Sequence, residues 1–162
     1  MRLSLLRESY YICSSTILKD SADEWKVWDK MGDPVEHIVL RDWATACVIA
    51  PLSAHSLAKF ANGLCDDTLS CIVRAWKFGD NGKPLILAPA MNVAMWEHPI
   101  TVQQLKQIVS FGTIPDTSRS CVHIVSPQKK MLACGDIGIG AMAEVSLIVD
   151  TVSQLLDPSL SA

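Results

Sequence analysis

The chain has 162 residues, 49% of them hydrophobic and 19% charged, with 14 Lys and Arg against 17 Asp and Glu. That length and low charge fit one domain with its own core and exclude a disordered polyelectrolyte, because enough apolar surface is available to offset the entropy of ordering. An isoelectric point near 5.7 without a Lys/Arg cluster argues against a nucleic-acid partner, and the longest apolar runs fall far short of the roughly 20 residues a membrane helix needs.

Cys13, Cys47, Cys65, Cys71, Cys121 and Cys134 show neither a CxxC pair nor a Cys/His metal spacing. They read as reduced thiols, which places the protein in the cytoplasm. Met1 to Leu6 lacks the apolar core and cleavage site of a secretory signal. In chain order, Ser14 to Leu18 is a weak strand candidate, and Asp33 to His37 opens a short segment, helical in one reading, that carries Ile38, Leu40 and Trp43.

Thr45 to Pro51 is a short apolar run closed by proline, the pattern of a strand buried on both faces of a parallel sheet, and Pro84 to Pro89 repeats it. Between them Ser53 can cap a helix through Leu57, Phe60 and Ala61, and Asp66 or Asp67 can cap a second through Leu69, Ile72, Val73 and Trp76. This is the grammar of an α/β fold. Thr101 to Phe111 predicts a further helix, Val122 to Val125 a third strand and Glu144 to Leu156 a closing amphipathic helix, while the polar stretch Gly112 to Cys121 reads as a surface loop.

Ligands of open parallel sheets bind beyond the carboxyl ends of the strands, so the loops after the two strong strands carry the interest. Pro51-Leu-Ser-Ala-His-Ser56 offers hydroxyls and N–H groups at a helix N-terminus, suited to a phosphate. An ordinary N-cap by Ser53 with a solvent-facing His55 is the commoner arrangement. Pro89-Ala-Met-Asn-Val-Ala-Met-Trp96 sets an amide beside two thioethers and an indole. Asn92 either orients a carboxylate or amide ligand or forms the turn, with Met91, Met95 and Trp96 in the core. In Met131 to Glu144, three glycines in six residues imply a mobile or sharply turning flap. Cys134 at its base is a candidate acid or nucleophile if exposed and a small hydrophobe if buried. Gly135-x-x-Gly138-x-Gly140 is not the dinucleotide order. His37 is a candidate general base, although a lone histidine is more often a core or interface residue. No histidine pair has ligand spacing, so no metal is expected.

Together, Pro89-Ala-Met-Asn-x-x-Met-Trp96, Ala133-Cys-Gly-Asp-x-Gly-x-Gly-Ala-Met-Ala-Glu144, Gly63-x-Cys-Asp66 and Asp33-Pro-Val-x-His-Ile38 resemble the homo-oligomeric flavin-containing cysteine decarboxylases, in particular the phosphopantothenoylcysteine decarboxylases. The resemblance runs from about Asp23 to Val152. It implies a flavodoxin-like (Rossmann-like) three-layer α/β fold with a parallel sheet, FMN as cofactor, and a homotrimer with active sites between subunits. It also implies the conversion of 4'-phosphopantothenoylcysteine, a small-molecule substrate, to 4'-phosphopantetheine for coenzyme A.

Position by position, the resemblance makes His37 and Cys134 catalytic, as base and proton donor. Asn92, Ala133 and Met142 become substrate contacts, and Ser53, Ala54, His55, Ser56 and Ala90 become FMN contacts. His55 and Ser56 replace the family's Asn and Thr, and Met131 stands where the family carries an Arg, with Lys130 as the neighbouring cation. The family's N-terminal strands and first flavin loop have no counterpart in Met1 to Tyr11, which marks residues 1–22 as an atypical segment before a flavoprotein domain over 23–156 and a tail over 157–162. The alternative is a catalytically inactive regulatory or scaffolding homologue acting in mixed trimers.

Overall fold

The structure, a computed structural model, describes residues 3–6, 28–117, 119–131 and 137–157, with the backbone alone for 3–6 and 137. Four strands form one sheet in the order β1 (Leu3–Leu6), β2 (Ala46–Leu52), β3 (Leu85–Pro89), β4 (Val122–Ile124). The last three are parallel, with Cys47, Val48 and Ile49 opposite Leu85, Ile86 and Leu87, and Leu85, Ile86 and Leu87 opposite Val122, His123 and Ile124.

β2, β3 and β4 form the parallel sheet that the resemblance implied, and β1 is an antiparallel addition to it. β1 runs antiparallel along β2, Leu3 opposite Ile49 and Leu6 opposite Ala46, and covers an edge whose N–H and C=O groups would otherwise face solvent. The weak strand candidate at Ser14 to Leu18 lies outside the described residues.

Alternation along β2 and β3 explains why both read as unbroken apolar runs. Cys47, Ile49, Leu52, Leu85 and Leu87 enter a core shared with Leu57, Phe60, Ile72, Trp76 and Ile108. Their neighbours Ala46, Val48, Ile86 and Ala88 enter a second core with Val125, Ala143, Ile148 and Val152. Successive side chains point to opposite faces, and here both faces are packed. The first face carries α1 (Glu36–Trp43), α2 (Ala54–Asn62), α3 (Thr68–Arg74) and α5 (Pro99–Gly112), and the second carries α6 (Val145–Leu156). The three layers expected from the resemblance are therefore present.

Local chemistry sets the helix ends. Ser53 Oγ accepts from Ser56 N at 3.1 Å to start α2, and Gly63, at φ 71°, ends it with Leu64 N donating to Lys59 O. Of the two candidate caps for α3, Asp67 does the work. Its carboxylate takes Ser70 N at 2.7 Å while Ser70 Oγ takes Asp67 N, a capping box. Asp66 instead pairs with Lys59 at 2.6 Å. Helix α5 starts two residues before the expected Thr101 because Pro99 fills its first turn, where no N–H is missed.

Candidate active site at the carboxyl edge of the sheet

β2 and β3 lie side by side and end in loops that are each closed by a side-chain cap. Ser53 caps α2 on one side. On the other, Asn92 Oδ1 accepts from Met95 N at 2.8 Å to start the five-residue α4 (Val93–Glu97). The loops are joined directly, since Ala90 N donates to Leu52 O at 2.9 Å. Met91 N donates to Gly140 O, also at 2.9 Å, and so fastens a third segment to the same edge. That segment is a hairpin of β5 (Gln128–Met131) and β6 (Ile137–Ala141). It packs on α4 so closely that a Cβ on Gly138 would lie 2.5 Å from Val93 Cγ2.

The loops that carry Ser53, Ala54, His55, Ser56, Ala90 and Asn92 thus meet at one edge of the sheet. The two hydroxyls are bonded to each other, Ser53 Oγ to Ser56 Oγ at 3.1 Å. The N–H groups of Ala54 and His55 belong to the first turn of α2, which has no intrahelical acceptors, and among the described residues they are uncommitted. His55 is exposed. Asn92 uses its carbonyl oxygen in the cap and keeps its amide N–H groups available to a ligand. Both sequence readings of Asn92, turn former and ligand donor, are compatible in one side chain because its two ends are chemically distinct.

The other candidates are placed differently. Met142 packs against the second core beside Ala50, and its carbonyl accepts from Gln128 Nε2 at 2.7 Å. His37 lies in the first turn of α1, half-buried. Ala133 and Cys134 lie outside the described residues. Lys130, the cation next to Met131, is paired with Glu144 at 2.7 Å, and that hydrogen bond, with one from Gln128, holds the Glu144 carboxyl below its usual range. The Gly63-x-Cys-Asp66 motif proves architectural. Lys59 Nζ bridges Asp66 and Asp67 and ties the end of α2 to the start of α3. Burial works to raise the Asp67 carboxyl, but hydrogen bonds from Lys59 and Ser70 outweigh it and hold it low. Among the described residues no group of three His, Cys, Asp or Glu side chains is arranged to hold a metal, and no helix is long and apolar enough to cross a membrane.

One half-buried cationic anchor escaped the sequence reading. Lys83 Nζ donates to Arg41 O, Asp42 O and Ala44 O at 2.8, 3.0 and 2.6 Å. Its acceptors are main-chain carbonyls about forty positions away, and nothing in the Gly82-Lys83-Pro84 turn signals them.

An open α/β sheet of Rossmann-like build, with capped loops meeting at its carboxyl edge, defines a class of ligand-binding fold. Within that class the chain belongs to the Flavoprotein family, whose model matches residues 4–157. It is 49% identical over 139 residues to the phosphopantothenoylcysteine decarboxylase of Mus musculus, covering 86% of this chain and 62% of that protein. It is 54% identical over 130 residues to a probable phosphopantothenoylcysteine decarboxylase of Arabidopsis thaliana, covering 80% of this chain and 59% of that protein. The chain therefore spans about three fifths of the length of these curated relatives. Among solved structures, a PPC decarboxylase variant complexed with pantothenoylaminoethenethiol matches with a TM-score of 0.72 at 51% identity, over 83% of this chain and 67% of that one. The FMN binding protein AtHal3 matches with a TM-score of 0.68 at 51% identity, over 83% of this chain and 66% of that one.

Proposed function

We propose that this chain is a subunit of an FMN-dependent decarboxylase that converts 4'-phosphopantothenoylcysteine to 4'-phosphopantetheine in coenzyme A synthesis, working in the cytoplasm as a homotrimer with active sites between subunits. The observation that carries the reading is the union of the Ser53 and Asn92 loops at one edge, linked by Ala90 N to Leu52 O. The identity of about 50% to named decarboxylases supports it.

The donor set fits a flavin mononucleotide. The Ser53 and Ser56 hydroxyls and the free N–H groups of Ala54 and His55 suit its phosphate and other polar edges, and Ala90 offers a small side chain where a flat ring must approach. Met95, Ile100 and Val102, which follow Asn92 in the chain, are exposed apolar side chains of the kind a neighbouring subunit would cover.

When bound, the flavin supplies a two-electron oxidation of the cysteinyl thiol to a thioaldehyde and later returns a hydride. His37 takes up the thiol proton. Asn92 donates its amide N–H to the substrate carboxylate and holds it β to the thiocarbonyl. The C–C bond to that carboxylate then breaks, CO2 departs, and the electron pair passes into the C=S group to leave an enethiolate. Cys134 donates the proton that accompanies the final reduction to the thiol. Ala133 and Met142 are the further substrate contacts that the resemblance implies.

Purified chain supplied with FMN and substrate should bind the flavin and release CO2. Asn92→Asp separates ligand contact from folding, because an aspartate still accepts from Met95 N but presents a negative oxygen in place of the donor. The urea midpoint should hold while turnover falls on the order of 100-fold, from a lost charged hydrogen bond plus like-charge repulsion. Undiminished turnover in Asn92→Asp would remove Asn92 from the site. A flavin-loaded protein without CO2 release would replace the enzyme by the non-catalytic homologue.

A further inference from the structure

Helix α1, which carries His37, is weakly built. It has eight residues, none of them fully buried, and its N-cap Val35 offers no side-chain acceptor. Two turns are marginal on their own in water. Leu40 and Trp43 rest partly on the first core and Arg41 Nη1 donates to Ala75 O at 3.3 Å, and the last-turn carbonyls are a further point of attachment. Helix ends leave such carbonyls without intrahelical partners.

Lys83 meets that need from another part of the chain. Its ammonium has three N–H groups, and all three go to the carbonyls of Arg41, Asp42 and Ala44. A cation there also opposes the negative end of the helix dipole. Lys83 is itself fixed. Its carbonyl accepts from Trp76 Nε1 at 2.9 Å, and its Nζ lies 6.0 Å from the centre of a Trp76 ring. The next residue, Pro84, accepts from Cys47 N at 2.9 Å at the start of the β2/β3 ladder. Burial pushes the Lys83 ammonium below the usual lysine range while Asp42 pulls it back.

We infer that Lys83 is a positioning residue for His37, clamping the end of α1 to the amino end of β3 so that the helix holds its first turn in place. The inference rests on the proposed role of His37. Lys83 stands two positions before β3 and Ala90 directly after it, so the whole five-residue strand, about 17 Å, lies between them, and Lys83 acts through α1 and touches neither cofactor nor substrate.

The test compares wild type, Lys83→Met and Lys83→Arg in the full chain. Lys83→Met keeps the apolar stem and removes every donor. Lys83→Arg keeps the charge but cannot converge three N–H groups on one point. Hydrogen exchange should show α1 amides, such as Ala44 N bonded to Leu40 O, losing about tenfold protection or more in Lys83→Met, with an intermediate loss in Lys83→Arg. Protection of Leu85 to Ala88 should change less than about twofold, FMN affinity should hold, and the His37 imidazole resonances should shift. In active protein kcat should fall with KM retained. Unchanged α1 protection would overturn the inference, as would a uniform loss over every element, which would mark Lys83 as a general stability residue. The exchange and imidazole readouts need no turnover, so they decide the clamp separately from the reaction. Full activity in His37→Asn, with α1 frayed in Lys83→Met, would strike down the role of His37 and leave the clamp standing.

Discussion

At the scale of single residues, burial sorts the cysteines. Cys47 is fully enclosed on β2, and burial pushes its thiol up to about 12, while Cys121 is raised for the same reason. Cys65, in the link between α2 and α3, is exposed. Only a thiolate reacts readily, so a maleimide pulse at pH 7.5 followed by peptide mass spectrometry should, among the cysteines of the described residues, label Cys65 first and leave Cys47 and Cys121 unlabelled until the protein is unfolded. Early labelling of Cys47 would contradict its place between the sheet and its helices. The same scale shows what the residue order reveals unaided. Ser53 was legible as a cap because capping depends on neighbours three positions away. Asn92 was half legible, as a choice between turn and ligand; its carbonyl makes the cap and leaves the amide N–H groups free for the proposed second use. Lys83 was not legible, because its partners are backbone atoms brought near only by the fold.

At the scale of elements, β2 and β3 were legible because residues buried on both faces must be apolar without interruption. The β5/β6 hairpin was not. Lys129, Lys130 and Met131 are exposed and show no alternation, and β6 is rich in glycine. The glycine spacing has a structural reason in the packing of Gly138 against Val93 beside Asn92. Gly138→Ala should destabilise by about 1 to 3 kcal/mol through overpacking, since Val93 is β-branched and has little rotamer freedom in a helix. Adding Val93→Ala should restore much of that loss, and urea unfolding of the single and double variants measures the coupling. A single variant as stable as wild type would mean that the hairpin is not seated on α4. The antiparallel β1 was equally hidden, since four residues carry no periodic signal that distinguishes an added edge strand from a tail.

For the whole molecule, the ionisable groups set an acid limit. Asp66 and Asp67 are held below 3.8 and Glu144 below 4.5 by their lysine partners, and burial holds His123 below 6.5. In each case the unfolded chain binds protons at a higher pH than the folded one. The stabilisation is therefore present above the unfolded value and lost as pH falls through the folded value. Urea midpoints should hold near pH 7 to 8, decline from about 6.5 downward as His123 is forced to charge, and drop more steeply below about 4.5 as the carboxylates protonate. In His123→Gln the first decline should vanish and the second remain. If the upper decline persists in that variant, His123 is not its source.

The two sheet faces also differ in the volume they hold. Along β2 and β3 the positions facing four helices are mostly large, Ile49, Leu52, Leu85 and Leu87 with the smaller Cys47, while those facing α6 are Ala46, Val48 and Ala88 with the larger Ile86. Adjacent residues of one strand therefore live under opposite rules. On the crowded side a smaller residue opens a void, and on the α6 side a larger one lifts the helix away. Sequence drift in this sheet is steered in a two-residue rhythm of size rather than of polarity. A record of tolerated substitutions along β2 would distinguish its two faces even though every residue in it is apolar.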